Sequence, residues 1–332
     1  MAAILLNIEP GDEVILPSFT FVSTANAFVL RGAKPVFVDI RFDTFNMDER
    51  LLECAITKRT KAIVPVHYSG VGCEMETICA IADKHNLAIV EDNAHGLFAK
   101  YKGKLLGSFG AMATQSFHET KNFQCGEGGA LLINDNELVE RAEIVREKGT
   151  NRKQFFQGQV DKYSWVDLGS SYLPSEVLAA ILFAQFENRE NFENRRKLIW
   201  QRYADELHDW AEKHGVRLPQ IPEECSQSHH IFHLLMPSQE DRNRLIEHLK
   251  AEGIGAVYHY VPLHSSSMGR RLSGVPHLPV TDFVSDRLVR LPLYSSLSAD
   301  DQQRVIFAVQ EFRTKDGKSS VISQPSLARL SE

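Results

Sequence analysis

Ser116-Phe117-His118-Glu119-Thr120-Lys121-Asn122 is the stretch on which the reading of this chain turns. Its lysine stands just past a short apolar run, Ala111 to Phe117, of the kind that forms a buried strand. Upstream, Leu87 to Glu91 reads as another such strand, and Asp92 ends it within Glu91-Asp92-Asn93-Ala94-His95. Downstream, Gly126-Glu127-Gly128-Gly129 precedes a strand instead of opening a helix. That order is not a dinucleotide fingerprint. It leaves a tight turn, or a loop through which backbone can approach a ligand near Lys121.

Lysines mostly lie on surfaces, so Lys121 alone is weak evidence. Here it follows a strand, adjoins a Gly-rich turn and has an aspartate at a strand's carboxyl end, where α/β sheets bind ligands. A lysine and an aspartate so placed are what pyridoxal phosphate chemistry needs. The amine forms a Schiff base with the cofactor aldehyde, and the carboxylate keeps the pyridine nitrogen protonated. Asp92 also reads as a turn residue or helix cap. Between Ala88-Ile89-Val90 and Ala94 it is expected to be partly buried, and a buried carboxylate needs a cationic partner.

The rest of the first 150 residues supports an α/β sheet, largely parallel. Strands are expected at Glu13–Leu16, Pro35–Ile40, Ala62–Val66, Met112–Phe117 and Ala130–Asn134. Helices are expected at Val22–Leu30, Asp48–Thr57 with Asp48 as N-cap, Glu74–His85 and Asn136–Lys148. Thr150 to Asp167 reads as a long ordered loop. One long helix is expected from Ser175 to Glu212, burying the face that carries Val177, Ala180, Ile181 and Ala184. A smaller α+β region follows, with strands His230–Met236 and Ala256–Tyr260 and helices Gln239–Glu252 and Ser298–Phe312. The divisions are then 1–165 as a large ligand-binding domain, 166–212 as a connecting loop and helix, and 213–312 as a small C-terminal domain. Residues 313–332 read as a disordered tail.

Composition narrows the class. The 332 residues, 43% hydrophobic, are ample for a core. A net charge of −6 argues against a nucleic-acid surface. The five cysteines form no C-x-x-C and no even framework, as in a reduced, cytoplasmic protein. No apolar run is long enough to span a membrane. His67, Cys73 and Cys79, or His229, His230 and His233, match no zinc spacing well, so no metal is expected.

The runs Pro10–Phe21 (PGDEVILPSFTF), Gly32–Asp39 (GAKPVFVD), Glu91–Gly96 (EDNAHG) and Ser116–Asn122 (SFHETKN) resemble the DegT/DnrJ/EryC1/StrS sugar aminotransferases, from Met1 to about Phe312. Arg146–Arg152, Phe155–Trp165 and Gly169–Ser175 resemble the branch that makes dTDP-4-amino-4,6-dideoxygalactose for enterobacterial common antigen. The resemblance implies the fold-type I architecture of pyridoxal 5'-phosphate enzymes, as a homodimer with shared active sites. It implies Lys121 as the Schiff-base lysine, Asp92 as pyridinium partner and His95 near the phenolic oxygen. It also implies Phe21 stacked on the ring, Ser116 near the phosphate, and Ser171 where many members have an Asn that reaches the neighbouring subunit's phosphate. Where many members have Arg, this chain has Leu173.

The activity so implied is transfer of an amino group from L-glutamate, leaving 2-oxoglutarate, to the 4-keto carbon of dTDP-4-dehydro-6-deoxyglucose. Another nucleotide-sugar aminotransferase is the nearest alternative. A catalytically inactive, truncated homologue with a binding or regulatory role is the alternative from another class. Set against the family, Met1 to Asp12 matches the middle and end of a helix. The first turn of that helix would bind the cofactor phosphate through its free amides. By comparison with the family that turn is missing, so the resemblance carries an expectation that the chain as written binds the cofactor weakly or not at all. Asn151 to Trp165, with Arg152, Lys153 and Lys162, is a candidate basic loop near the site or a solvated surface loop.

Overall fold

The computed structural model describes residues 1–274 and 276–315. Six strands build the main sheet: β1 (Glu13–Pro17), β2 (Lys34–Val38), β3 (Thr60–Ile63), β4 (Ala88–Asp92), β5 (Met112–Ser116) and β6 (Gly129–Ile133). Their spatial order is β2-β1-β3-β4-β5-β6. All neighbours run parallel except β5 and β6. Parallel strands with helices on both faces are buried on both sides, which is why they read as continuous apolar runs. In β1, Val14 and Leu16 enter one apolar layer with Phe28, Phe37 and Val145. Ile15 between them enters the opposite layer with Leu52, Met75 and Ile78.

The covering helices are α1 (Val22–Val29), α2 (Met75–His85) and α3 (Val139–Arg146). Then come α4 (Glu176–Glu187) and α5 (Arg189–Lys213). The C-terminal region holds β7 (Phe232–Leu235), α6 (Gln239–Ala251), α7 (Pro279–Arg287), β8 (Leu288–Leu291) and α8 (Ala299–Glu311). Strands β7 and β8 pair antiparallel, Phe232 opposite Leu291. Around them Trp200, Tyr203, Leu245, Leu249, Val305 and Ile306 form a separate core. A fourth cluster, Phe19, Phe45, Tyr68, Ile231, Leu235 and Leu288, joins this region to the main sheet. Asp39 strengthens the joint: its carboxylate accepts bonds from the Val280 and Thr281 amides and the Thr281 hydroxyl, at 3.0, 2.8 and 2.7 Å.

Several expectations need correction. The single helix from Ser175 is two helices broken at Asn188, whose backbone (φ −106°, ψ 24°) leaves the helical region. Ser175 caps the first of them, accepting from the Leu178 amide at 3.3 Å. The stripe Val177, Ala180, Ile181 and Ala184 is exposed, not buried; the covered side carries Leu178, Ala179, Leu182 and Phe186. A helix that is apolar nearly all round offers no contrast from which to choose a face. The expected loop 150–167 contains a helical turn, Arg152–Phe156. Asp48 does cap, accepting from the Arg50 amide at 3.1 Å, but onto a 3-10 turn that leads into a single α-turn, Leu52–Ala55. Ala256–Tyr260 forms no strand, only one bridge from Val257 to Arg290. Of the expected tail, 316–332 lies outside the described residues.

Candidate active site

The carboxyl ends of β1, β4 and β5 point to one edge of the sheet. From β1 the chain runs through Ser18-Phe19-Thr20-Phe21 into α1. Strand β4 ends on Asp92. Strand β5 ends on Ser116, and a self-bonded loop, Phe117 to Cys125, carries Lys121. That loop closes on itself: Phe117 donates to Gly128, Glu119 to Gly126 and Cys125 to Phe117. Two glycines admit the closure. A Cβ on Gly128 would stand 2.6 Å from Cys125 Sγ, and one on Gly129 would stand 2.8 Å from the Gln115 carbonyl oxygen. The Gly-rich turn thus packs against the strand and loop that support Lys121.

Lys121, Ser116 and His95 line one small cleft, with Ala94, Leu97, Asn122, Phe123 and His230. Burial pulls the Lys121 amine down to about 8, Asp92 raises it and Arg290 lowers it further. The amine is therefore poised to lose its proton near neutrality, as a nucleophile or base requires. Asp92 Oδ2 accepts from the Thr24 hydroxyl at 2.7 Å, and Oδ1 from the Ala94 amide at 3.1 Å. A carboxylate has about four lone-pair sites, so both oxygens keep capacity for a further donor. Thr24 hydrogen-bonds in turn with the Thr20 hydroxyl at 2.8 Å.

Histidines form the other wall. The Ser69 amide donates to His95 Nδ1 at 3.3 Å, so neutral His95 carries its proton on Nε2. Burial first, then the neighbouring Lys121, His259 and Arg290, hold His95 well below its usual range. Its ring lies 4.4 Å from His230 and 6.5 Å from His259, nearly parallel to the latter. His230 is likewise kept neutral by burial.

Of the six residues singled out in the sequence, Lys121, His95 and Ser116 line the cleft, and the charge of Asp92 bears on Lys121. Ser116 Oγ faces the His118 amide at 3.4 Å. Phe21, at the start of α1, is 59% exposed, with no aromatic partner among the described residues. Ser171 stands apart: it is exposed and its backbone bridges Glu147 beside α3. The basic loop also packs there, Lys153 pairing with Glu143 at 3.1 Å. Thr24, Asn122, His230, His259 and Arg290 were not singled out for the site. Asn122 alone carried a signal, as the neighbour of Lys121. No group of metal-ligating side chains occurs among the described residues.

The model of the DegT/DnrJ/EryC1/StrS aminotransferase family matches residues 1–310. The chain belongs to that family. Its members' fold-type I architecture accounts for the mostly parallel sheet and the smaller α+β region. The chain is 36% identical to a protein of Geobacillus stearothermophilus called a pleiotropic regulatory protein, over 92% of this chain and 79% of that one. DesV of S. venezuelae, solved in complex with a ketimine intermediate, is 34% identical with a TM-score of 0.82, covering 93% and 82% of the two chains. PseC of Helicobacter pylori, an aminotransferase involved in the biosynthesis of pseudoaminic acid, is 27% identical with a TM-score of 0.81, over 92% and 82%. Family membership makes the chain a sugar aminotransferase and implies pyridoxal phosphate as cofactor. The residues present fit that group: a desolvated amine, a carboxylate with lone pairs to spare, and an exposed phenyl face.

Proposed function

We propose that the chain transfers the amino group of L-glutamate to the 4-keto carbon of dTDP-4-dehydro-6-deoxyglucose. The product would be dTDP-4-amino-4,6-dideoxygalactose, for enterobacterial common antigen. The observation that carries the chemistry is Lys121 in its cleft beside Ser116 and His95, its amine lowered to about 8 by burial against the opposing pull of the Asp92 charge. The motif stretches 146–152, 155–165 and 169–175 support the choice of sugar. Lys121 would hold the cofactor aldehyde, Asp92 the ring nitrogen, Phe21 the ring face, His95 the phenolic oxygen and Ser116 the phosphate. Ser171 would reach the phosphate of a second copy's site in a homodimer. When bound, the cofactor supplies an electron sink for a carbanion at the reacting carbon. Thr24 orients the Asp92 carboxylate. Lys121 Nζ moves the proton at the substrate carbon that gains or loses nitrogen. Neutral His95 presents Nε2–H as a donor without adding a charge to repel the amine.

A visible spectrum of the purified chain with pyridoxal phosphate, before and after L-glutamate, tests this, with Lys121→Ala as control. The cofactor band should shift on L-glutamate and be absent in the variant. The loaded form should then aminate dTDP-4-dehydro-6-deoxyglucose, with the configuration at C4 read by NMR. An amine at another carbon would leave a different nucleotide-sugar aminotransferase. No band in the unaltered chain would favour the second reading, a binding or regulatory protein on the same fold. The likeness to the pleiotropic regulatory protein supports that alternative.

A further inference from the structure

Residues 227–231, just before β7, belong to no helix or strand, yet they build one wall of the site. Ser228 and His230 both hydrogen-bond the side chain of Asn122, the residue after Lys121. Ser228 also donates to the His95 carbonyl. The fit is close: a Cβ on Gly70 would stand 1.9 Å from Ser228 Oγ and 2.8 Å from the His95 carbonyl oxygen. Between the two, His229 holds a left-handed backbone with φ 52°. A residue with a Cβ rarely adopts that conformation, and it persists only where the surroundings impose it.

The imposing groups sit on α5. Arg196, Trp200 and Tyr203 follow one another at helical spacing along one face of it. Arg196 Nε donates to the His229 carbonyl at 3.2 Å, and its terminal nitrogen to the carbonyls of His230 and Leu293 at 2.7 and 3.3 Å. Trp200 Nε1 donates to the Ile231 carbonyl at 3.1 Å, and the Tyr203 hydroxyl to the Pro292 carbonyl at 2.9 Å. Buried carbonyls outside regular structure must find donors somewhere, and here a helix supplies them from its side chains. Arg196 is 5% exposed, and no carboxylate pairs with it among the described residues. Burial, then the Arg290 charge, brings it down to about 9, so it stays charged at neutral pH. A desolvated cation without a carboxylate partner is costly, and its whole hydrogen-bonding capacity is turned on this one joint.

We propose that Arg196 is a positioning residue for Lys121: through the carbonyls of His229 and His230 it fixes the segment that anchors Asn122, and so keeps the reacting amine buried. The inference rests on the transaminase reading for the role of Lys121. The path runs from α5 through His230 to Asn122 and ends on the loop that carries the amine.

The test follows the visible band of added pyridoxal phosphate across pH in the full chain. In Arg196→Met the midpoint of cofactor capture should rise by about one unit, from about 8 toward the ordinary lysine value, as water reaches the loosened amine. Asp92 and Arg290, the charges that act on Lys121, are untouched by the substitution. Arg196→Lys keeps the charge without the fork and should shift the midpoint less. In the Asn122→Ala background Arg196→Met should add nothing further, because the path is already cut. Nitrogen NMR of histidine-labelled protein without cofactor is the second readout, with His230 assigned by its absence in His230→Gln. His230 should be held as the Nδ1–H tautomer in the unaltered chain and lose that signature in Arg196→Met. A lower melting temperature alone does not support the proposal. An unchanged midpoint or an unchanged His230 signal overturns it, as does a shift equally large in the Asn122→Ala background. If Arg196→Met does not fold, Arg196→Lys decides by the same two readouts. If the unaltered chain forms no cofactor band, the transaminase reading fails, and the His230 signal alone decides whether Arg196 fixes the cleft.

Discussion

Asn122 Oδ1 accepts a hydrogen bond from His230 Nδ1 at 2.7 Å, across 108 residues of chain. The same side chain donates through Nδ2 to the Ser228 carbonyl at 2.8 Å. Ser228 in turn donates through Oγ to the His95 carbonyl at 2.5 Å. The residue after Lys121 is thereby tied to the C-terminal region and, through it, to the opposite wall of the cleft. Asn122→Ala leaves the buried His230 donor unsatisfied, a loss of about 1–3 kcal/mol. We expect a lower thermal midpoint and slower capture of pyridoxal phosphate. An unchanged melting curve would show that the tie is idle.

Thr24 donates to Asp92 and is itself held by Thr20. Thr24→Val keeps the shape and removes the donor. Cofactor affinity should fall roughly tenfold, the scale of a hydrogen bond to a charged group. Fluorescence titration with pyridoxal phosphate measures this, and Thr24→Ser should restore most of it.

The lowered Lys121 amine predicts a pH profile. Capture of the cofactor aldehyde needs the neutral amine, so the rate should rise as pH increases through about 8 and level above it. A midpoint near the ordinary lysine value would contradict the burial seen here. Stopped-flow absorbance across that range supplies the measurement.

Acid should destabilise the fold through its histidines. Burial brings His229 to about 4 and His233 to about 3, and holds His95 and His230 well below their usual range. Each has a folded value beneath its unfolded one. The unfolded chain therefore binds more protons between those folded values and about 6.5, and stability present above 6.5 is lost progressively as pH falls across that window. His233→Phe, among Phe45 and Tyr68, should flatten the fall by about one proton in a denaturation series.

Helix α4 presents Val177, Ile181 and Phe183 to solvent, 70%, 45% and 63% exposed. Exposed apolar patches of this kind mark protein interfaces. If they belong to the proposed homodimer, Phe183→Glu should yield a monomer in sedimentation. An unchanged sedimentation profile would move the contact elsewhere.

The legible parts of this molecule were those with strong local contrast. Parallel strands buried on both faces stand out as apolar runs, and the residues at their carboxyl ends, Asp92 and Ser116 with Lys121 just beyond, follow from them. Arg290 was not legible, because β8 is only four residues long and its register comes from pairing with β7. Thr24 reads as an ordinary helix residue until α1 is laid beside β4. The exposed stripe of α4 departs from what its spacing predicts because tertiary packing, not periodicity, chooses among its apolar faces.

Glu91 and Asp92 are adjacent acids with opposite surroundings. Glu91, wholly buried, accepts from the Gly107, Phe109 and Gly110 amides at 2.7, 2.7 and 2.9 Å and bonds His67 at 2.9 Å. Burial works against its charge, but His67 and the backbone amides win and lower its pKa. Strand alternation sends one carboxylate to the back of the sheet and the other to the cleft. A slip of β4 by one residue against β5 would exchange them. The longer side chain would then crowd the ligand, and the shorter would fail to span the amides behind it. The order Glu-Asp is thus a checksum on the pairing of β4, and the chain with the two acids transposed is the one that should misassemble.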